Sequence, residues 1–396
     1  LENMVIDWLK PETFKGRSVL VTGHTGFKGS WLAIWLDRLG AKVSGYALAP
    51  PTEPNNFSAS RVREILANDV KADIRDADRL TRAIDKADPD IVFHLAAQSL
   101  VRTSYTAPRE TFEVNVMGTA AVLDVVRARG KPCVVVVVTS DKCYENREQV
   151  WGYRETDPLG GHDPYSASKG AVEILVACYR RSFFPPHRLA QHGVKLATAR
   201  AGNVIGGGDW ANDRIVPDAV RSLAAGSPVP VRNPQAVRPW QHVLEPLGGY
   251  MTLAARMLQS DDPAWCDAWN FGPVPGQELS VAELVECFVA AWGGGRWTDA
   301  SGSNRPHEDA VLRLNIDKSL SQLGWSPTWT SDEAIARTAQ WYRHYYESDD
   351  PNMLDACKED IEAFRSVRAS DKTNHSHLLP SIVSVFHAPT ISPVLQ

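Results

Sequence analysis

A short apolar run over residues 18–22 leads into Gly23-His24-Thr25-Gly26-Phe27-Lys28-Gly29 and then into a helical stretch over 29–39 that Gly40 closes. Glycines spaced GxxGxxG at a strand-to-helix turn constrain this chain more than any other feature. They let the backbone turn tightly and approach a pyrophosphate, while the helix N-terminus turns unpaired N–H groups and a partial positive charge toward its oxygens. The reading is a dinucleotide site cradled by Gly23, Thr25, Gly26, Phe27 and Gly29. An ordinary strand-to-helix turn is the alternative that the triplet alone leaves open.

The segments beyond the loop narrow the choice. Short β-branched runs at 42–46, 70–72, 91–94 and 134–138 alternate with helical patterns at about 76–86, 111–128 and 164–181. Such alternation builds a parallel sheet through crossover units, so the expected fold is α/β, a Rossmann-type doubly wound sheet with a smaller C-terminal α/β substrate lobe. The expected division is a dinucleotide-binding domain over 1–200, a lobe over 201–350 with some chain returning to the first domain, and a tail over 351–396, weakly ordered at its end. Residues 1–3, ahead of Met4, read as an extension outside the fold.

Composition bounds the partners. With 396 residues, 43% hydrophobic and 13 Trp, the chain can bury a large core, and a net charge of −5 without a basic stripe argues against nucleic acid. The Trp read mainly as packing, with Trp210 and Trp240 nearest the substrate strings. Six Cys without CxxC or zinc-ligand spacing read as reduced thiols in a cytoplasmic protein. No stretch reaches the roughly 18 apolar residues of a membrane helix. His24, His242 and His307 lack carboxylate or Cys partners at ligand spacing, so no metal is expected.

Tyr165-Ser166-Ala167-Ser168-Lys169 places a phenol and an ammonium four residues apart, on one face of a helix. An adjacent cation stabilises phenolate and brings a pKa near 10 toward working range, so Tyr165 can take a hydroxyl proton while hydride leaves the same carbon. Alone, such a pair also occurs on ordinary surfaces. Together with the glycine loop, with Leu95-Ala96-Ala97-Gln98 after the fourth strand and with Asn115-Val116-Met117-Gly118-Thr119, it resembles the extended short-chain dehydrogenase/reductase family, over about residues 16–345. The resemblance implies NAD as cofactor and nucleotide-sugars as substrates. It adds Ala96, Ala97, Gln98, Asn115 and Thr139 to the cofactor residues, with Tyr165 and Lys169; Asp73 and Ile74, just after the third strand, are placed to meet the adenine edge, a solvated turn being the alternative. The acidic residue expected at the end of the second strand is replaced by Tyr46-Ala47-Leu48, which leaves NAD against NADP open on ribose chemistry; the absence of a nearby Arg or Lys favours NAD.

The block Thr139-Ser140-Asp141-Lys142-Cys143-Tyr144 ends the central strand, where open α/β sheets bind ligands. A 4-epimerase needs only the Tyr and a hydroxyl there, whereas a 4,6-dehydratase also needs an acid and a base. Asp141 and Lys142 supply that couple, and Lys after Asp resembles the branch of the family acting on CDP-glucose. The strings Arg200 to Trp210, Val237 to Val243 and Arg305-Pro306-His307-Glu308 resemble the same branch. Its chemistry implies C4 oxidation with Tyr165 as base and Ser140 bonded to the oxygen, then loss of the C5 proton to Lys142 and of the C6 hydroxyl with a proton from Asp141. Burial is expected to push Asp141 up and Lys142 down, and their mutual attraction to oppose both. Asn203, Arg238 and Arg305, and less strongly Arg102 and Arg214, are the candidates for holding the diphosphate. Dehydratases for dTDP- or GDP-sugars, 4-epimerases of the same fold, and a Rossmann protein that binds dinucleotide without turnover are the competing readings. Relatives imply a homodimer or homotetramer formed through the helices at 111–128 and 164–181, and a place in surface-polysaccharide deoxysugar synthesis.

Overall fold

The computed structural model describes residues 9–302, 311–349 and 351–375. Seven parallel strands form the main sheet: β1 Ser18–Thr22, β2 Lys42–Ala47, β3 Asn68–Lys71, β4 Ile91–His94, β5 Cys133–Val138, β6 Val194–Ala201 and the strand Ala268–Phe271. Their spatial order is β3-β2-β1-β4-β5-β6 followed by Ala268–Phe271. This is the doubly wound Rossmann order, whose reversal between β1 and β4 opens a crevice at the strand ends. β5 is five valines after a cysteine, all buried, because helices cover both faces of a parallel sheet. Its Val134, Val136 and Val138 enter one apolar core, and Val135 and Val137 enter the other.

The helices begin where the local chemistry allows. Asp76 caps the helix Ala77–Ala87 by accepting the Arg79 N–H at 3.0 Å, and Asp163 caps Pro164–Ser182 by accepting from Ser166 at 2.9 Å. The helical pattern expected at 111–128 is realised as Pro108–Phe112, a widened π-type turn Glu113–Met117, and Gly118–Arg129.

After β6 the chain leaves the sheet, builds small two-stranded ribbons and the helix Ile215–Ala224, and returns twice. The helix Leu244–Gln259 lies on the sheet, where Gly249 leaves no room for a Cβ against Phe271. Ala268–Phe271 then pairs with β6. The segment read as a tail begins as the helix Met353–His375, whose Met353, Cys357, Ile361 and Phe364 are fully buried. Their spacing of three and four residues makes one apolar stripe, and Phe364 meets Trp35 edge to face at 5.6 Å. Residues 376–396 lie outside the described residues. Among the described residues no helix is long and apolar enough to cross a membrane, no group of His, Cys, Asp and Glu could hold a metal, and the six cysteines form no disulfide.

Candidate active site

A cleft of about 1220 Å³ runs along the C-terminal ends of the strands, from the glycine loop to the segments built after β6. At its first end the turn after β1 requires glycine. Gly23 has φ +78° and a Cβ there would stand 2.8 Å from the Ala96 nitrogen, while one on Gly29 would collide with the Gly23 carbonyl. The helix Phe27–Arg38 starts directly behind, with Gly26 as its N-cap and no side chain occupying its first N–H groups. The loop therefore fits a pyrophosphate. His24 points away from the cleft, into the core, where Nε2 bonds Asp69 at 2.8 Å; burial lowers its pKa to about 4, so it is neutral at pH 7.

Several expected cofactor residues line this cleft: Gly23, Thr25, Gly26, Phe27, Gly29, Asp73, Ile74, Ala96, Ala97, Gln98 and Thr139. Asn115 is not among them. It stands behind the cleft wall at 1% exposure, accepting the Gln98 N–H at 2.8 Å and donating to the Gln98 carbonyl at 3.0 Å and to Ser168 Oγ at 2.8 Å. Its amide is spent on the protein, so it braces the loop after β4 against the helix carrying Tyr165 and offers no group to a cofactor. Thr139 likewise turns its hydroxyl away, to Glu173 at 2.5 Å. Tyr46, found in place of an acid, donates to the Asp73 carbonyl at 2.7 Å and so ties β2 to the loop after β3. A basic residue does line this end: the Arg75 guanidinium, with Asp73, Glu110 and Glu113 at 2.6, 3.6 and 3.4 Å.

At the head of β5, Ser140 caps a short turn, Asp141–Cys143. Its hydroxyl donates to Asp141 Oδ1 at 2.8 Å and accepts the Lys142 N–H at 3.2 Å. Asp141 is 4% exposed, and its Oδ2 has no hydrogen-bond partner among the described residues. Burial raises its pKa, against the pull of Lys142 first, then of the Ser140 bond, Lys28 and Arg238. Both Asp141 and Lys142 line the cleft rather than facing bulk water.

Tyr165 and Lys169 line it too, one helical turn apart. Burial pushes the phenol up to about 12, opposed by its bond with Ser140 and by Arg214. Burial also lowers Lys169 to about 8, opposed by Glu173. The Lys169 ammonium lies 6.0 Å from the Tyr165 ring centroid and donates to the Val138 carbonyl at 3.5 Å. Among the cations, Arg214 opposes the rise of the phenol, while the Lys169 ammonium is itself disfavoured by burial.

The substrate candidates fare differently. Asn203, Arg214 and Arg238 line the cleft beside the catalytic block; Arg214 is paired with Asp209 at 2.8 Å. Arg102 reaches the rim, paired with Asp213 at 3.2 Å. Arg305 and His307 lie outside the described residues. Sequence reading passed over three groups. Lys28, inside the glycine loop, points its charge at the Asp141 end of the cleft. Glu173 and Arg200 form a buried pair at 2.8 Å beneath the site, joined by Thr139, Thr198 and Tyr144. Glu173 could have been found: it lies one turn beyond Lys169 on an otherwise buried helix face.

Comparison with known proteins agrees with this geometry. The model of the family described as GDP-mannose 4,6 dehydratase matches residues 20–338. A CDP-glucose 4,6-dehydratase of Salmonella typhimurium is 47% identical over 353 residues, 89% of this chain and 97% of the relative. A crystal structure of dTDP-glucose 4,6-dehydratase from Streptomyces venezuelae, with NAD and TYD bound, is similar with a TM-score of 0.70 at 25% identity, covering 82% of this chain and 96% of that one. A UDP-glucose 4-epimerase of Thermus thermophilus, in complex with NAD, has a TM-score of 0.68 at 26% identity, covering 82% and 98%.

Proposed function

The chain belongs to the GDP-mannose 4,6 dehydratase family, and from that premise we propose that it is an NAD-dependent hydro-lyase converting CDP-glucose to CDP-4-keto-6-deoxyglucose and water. The observation that carries the reading is Asp141: a buried carboxyl, one oxygen unpartnered, sharing Ser140 with Tyr165 inside the cleft that begins at the glycine loop. A 4-epimerase has no use for such a group.

NAD would be held by Gly23, Gly26, Gly29 and the first turn of Phe27–Arg38, and would supply reversible hydride acceptance. Tyr165 accepts the proton of the 4-hydroxyl, and Ser140 bonds the same oxygen. The C4 ketone then acidifies the C5–H bond. Lys142, in its amine form, takes that proton, while Asp141 gives its own through Oδ2 to the 6-hydroxyl, which departs as water. Lys142 returns a proton to C5 at the end. Asp141 must start protonated, and burial acts in that direction. Asn203 and Arg238, which line the same cleft, would hold the diphosphate between sugar and base.

NAD rather than NADP is favoured because three carboxylates surround Arg75, leaving it poorly placed to receive a 2′-phosphate. Exposed Phe112, Met117 and Ile174 on the helical segments 108–129 and 164–182 suit a homodimer paired there, and six unpaired cysteines suit the cytoplasm. The test is incubation with CDP-, dTDP-, GDP- and UDP-glucose, reading the alkaline absorbance of a 4-keto-6-deoxy sugar. CDP-glucose should give the strongest signal. Formation of a 4-epimer alone would remove the roles given to Asp141 and Lys142.

A further inference from the structure

Beyond the reacting groups the cleft continues onto the substrate lobe, where Pro217 and Asp218 of the helix Ile215–Ala224 face Pro230 and Arg232 from the strand Val229–Val231 and the residue after it. Arg232 Nη2 donates to Asp218 Oδ2 at 3.3 Å and Nη1 to Asp213 at 2.8 Å. Arg221 holds the other oxygen of Asp218. A guanidinium has five N–H donors and a carboxylate about four acceptor sites, so both groups keep capacity after these bonds. The Asp218 side chain is 25% exposed and that of Arg232 40%, and that exposed surface lies along the cleft. The two present an acceptor beside a donor, on a stretch of the cleft that Pro217 and Pro230 also line.

We propose that Asp218 and Arg232 read the edge of the pyrimidine and set a preference for cytosine over uracil and thymine. The proposal rests on the nucleotide-sugar reading above and deepens it. Cytosine carries an N4 amino donor next to an N3 acceptor, whereas thymine and uracil carry an O4 acceptor next to an N3–H donor. Against cytosine, Asp218 accepts from the amino group and Arg232 donates to N3. Against uracil both pairs are reversed: oxygen faces carboxylate and N–H faces guanidinium. On that reading Asp141 and Tyr165 take the reacting carbons and Asn203 and Arg238 the diphosphate, which leaves the lobe end of the same cleft to the base.

The experiment is calorimetric titration of the NAD-loaded protein with CDP and with UDP, which differ only at this edge. CDP should bind about ten- to hundredfold tighter, the range for hydrogen bonds to charged groups. Asp218→Asn, whose amide can donate to O4, should weaken CDP about tenfold and bring the two affinities to within about threefold of one another. Arg232→Leu, which spares the carboxylate and its Arg221 bond, should narrow the ratio in the same direction. Equal binding of CDP and UDP by the unaltered protein, an unchanged ratio in both variants, or an equal loss for both nucleotides would overturn the proposal. Failure of the dehydratase reading is seen separately, as CDP-glucose bound but not converted.

Discussion

Asp141 and Tyr165 share Ser140 as a neighbour, yet the chemistry asks Asp141 to hold a proton and Tyr165 to give one up readily. Burial serves the first and opposes the second, since it raises both groups. Tyr165 therefore depends on positive charge brought to it, which Arg214 supplies and a nicotinamide ring would add to. Tyr165→Phe should lower kcat by about 10²–10⁴, the usual weight of a general base, while fluorescence titration finds NAD affinity nearly unchanged; retained turnover would refute the assignment. Asp141→Asn should cost a similar factor of about 10²–10⁴. With Asp141 as the proposed acid and its folded pKa raised, the dehydration rate should fall as pH rises through that pKa, and the residual rate of Asp141→Asn should lack this limb. A variant whose pH profile matched the parent's would place the acid elsewhere. That the glycine loop, Ser140 to Lys142, Tyr165 and Lys169 share one cleft was legible because glycine spacing, a four-residue helical interval and a strand end each have local geometric meaning. Asn115, Thr139 and Arg214 were not, since their partners Gln98, Glu173 and Asp209 are chosen by the fold: the GxxGxxG logic says what the backbone does, and nothing about where a threonine hydroxyl turns.

Strands and helices were largely readable because both faces of the sheet are covered, which leaves continuous apolar runs such as that of β5. The helix Met353–His375 escaped because only four positions of its early turns are fully buried, in a stretch otherwise rich in charge. Two charged groups test how these elements are joined. Glu173 clamps the Tyr165 helix to β5 and β6 through Thr139, Thr198 and Arg200. Glu173→Ala would strand the Arg200 guanidinium in the core at a cost of about 3–5 kcal/mol, read as a lowered denaturation midpoint; a change below about 1 kcal/mol would contradict the clamp. Asp360, nearly buried beside Arg337 at 3.3 Å, has its pKa raised to about 6 by burial. Its folded value exceeds the unfolded one, so the folded chain binds the extra proton and stability declines as pH rises from about 4 through about 6. The loss is on the order of 2–3 kcal/mol. Asp360→Asn removes that dependence, so its stability relative to the parent should improve between pH 4 and pH 7.5; a pH-independent difference would show that Asp360 does not change protonation there.

At the scale of the whole molecule, the path of the chain matters more than any single contact. It leaves the sheet after β6, builds the lobe, and comes back to add Ala268–Phe271 beside β6 and to lay Leu244–Gln259 on the core. The lobe built after β6 is thus anchored twice in the sheet that carries the glycine loop, and one cleft is lined by both. That arrangement suits a reaction without net redox change, in which the hydride taken from C4 never leaves the cleft before it reaches C6. The consequence can be followed with isotopes. CDP-glucose deuterated at C4 should yield product that keeps the label at C6, and the label should not be diluted by excess unlabelled NADH in the medium. Unlabelled CDP-glucose turned over in D₂O should acquire deuterium at C5, because Lys142, the proposed base, is half-buried and lines the cleft, where its proton can exchange with solvent. Washing out of the C4 label would mean that the cofactor is released between oxidation and return. Deuterium absent from C5 in D₂O would mean that the base is sealed from water or that the C5 proton never moves. The first result would break the recycling cycle, and the second would remove either solvent exchange at Lys142 or the elimination itself.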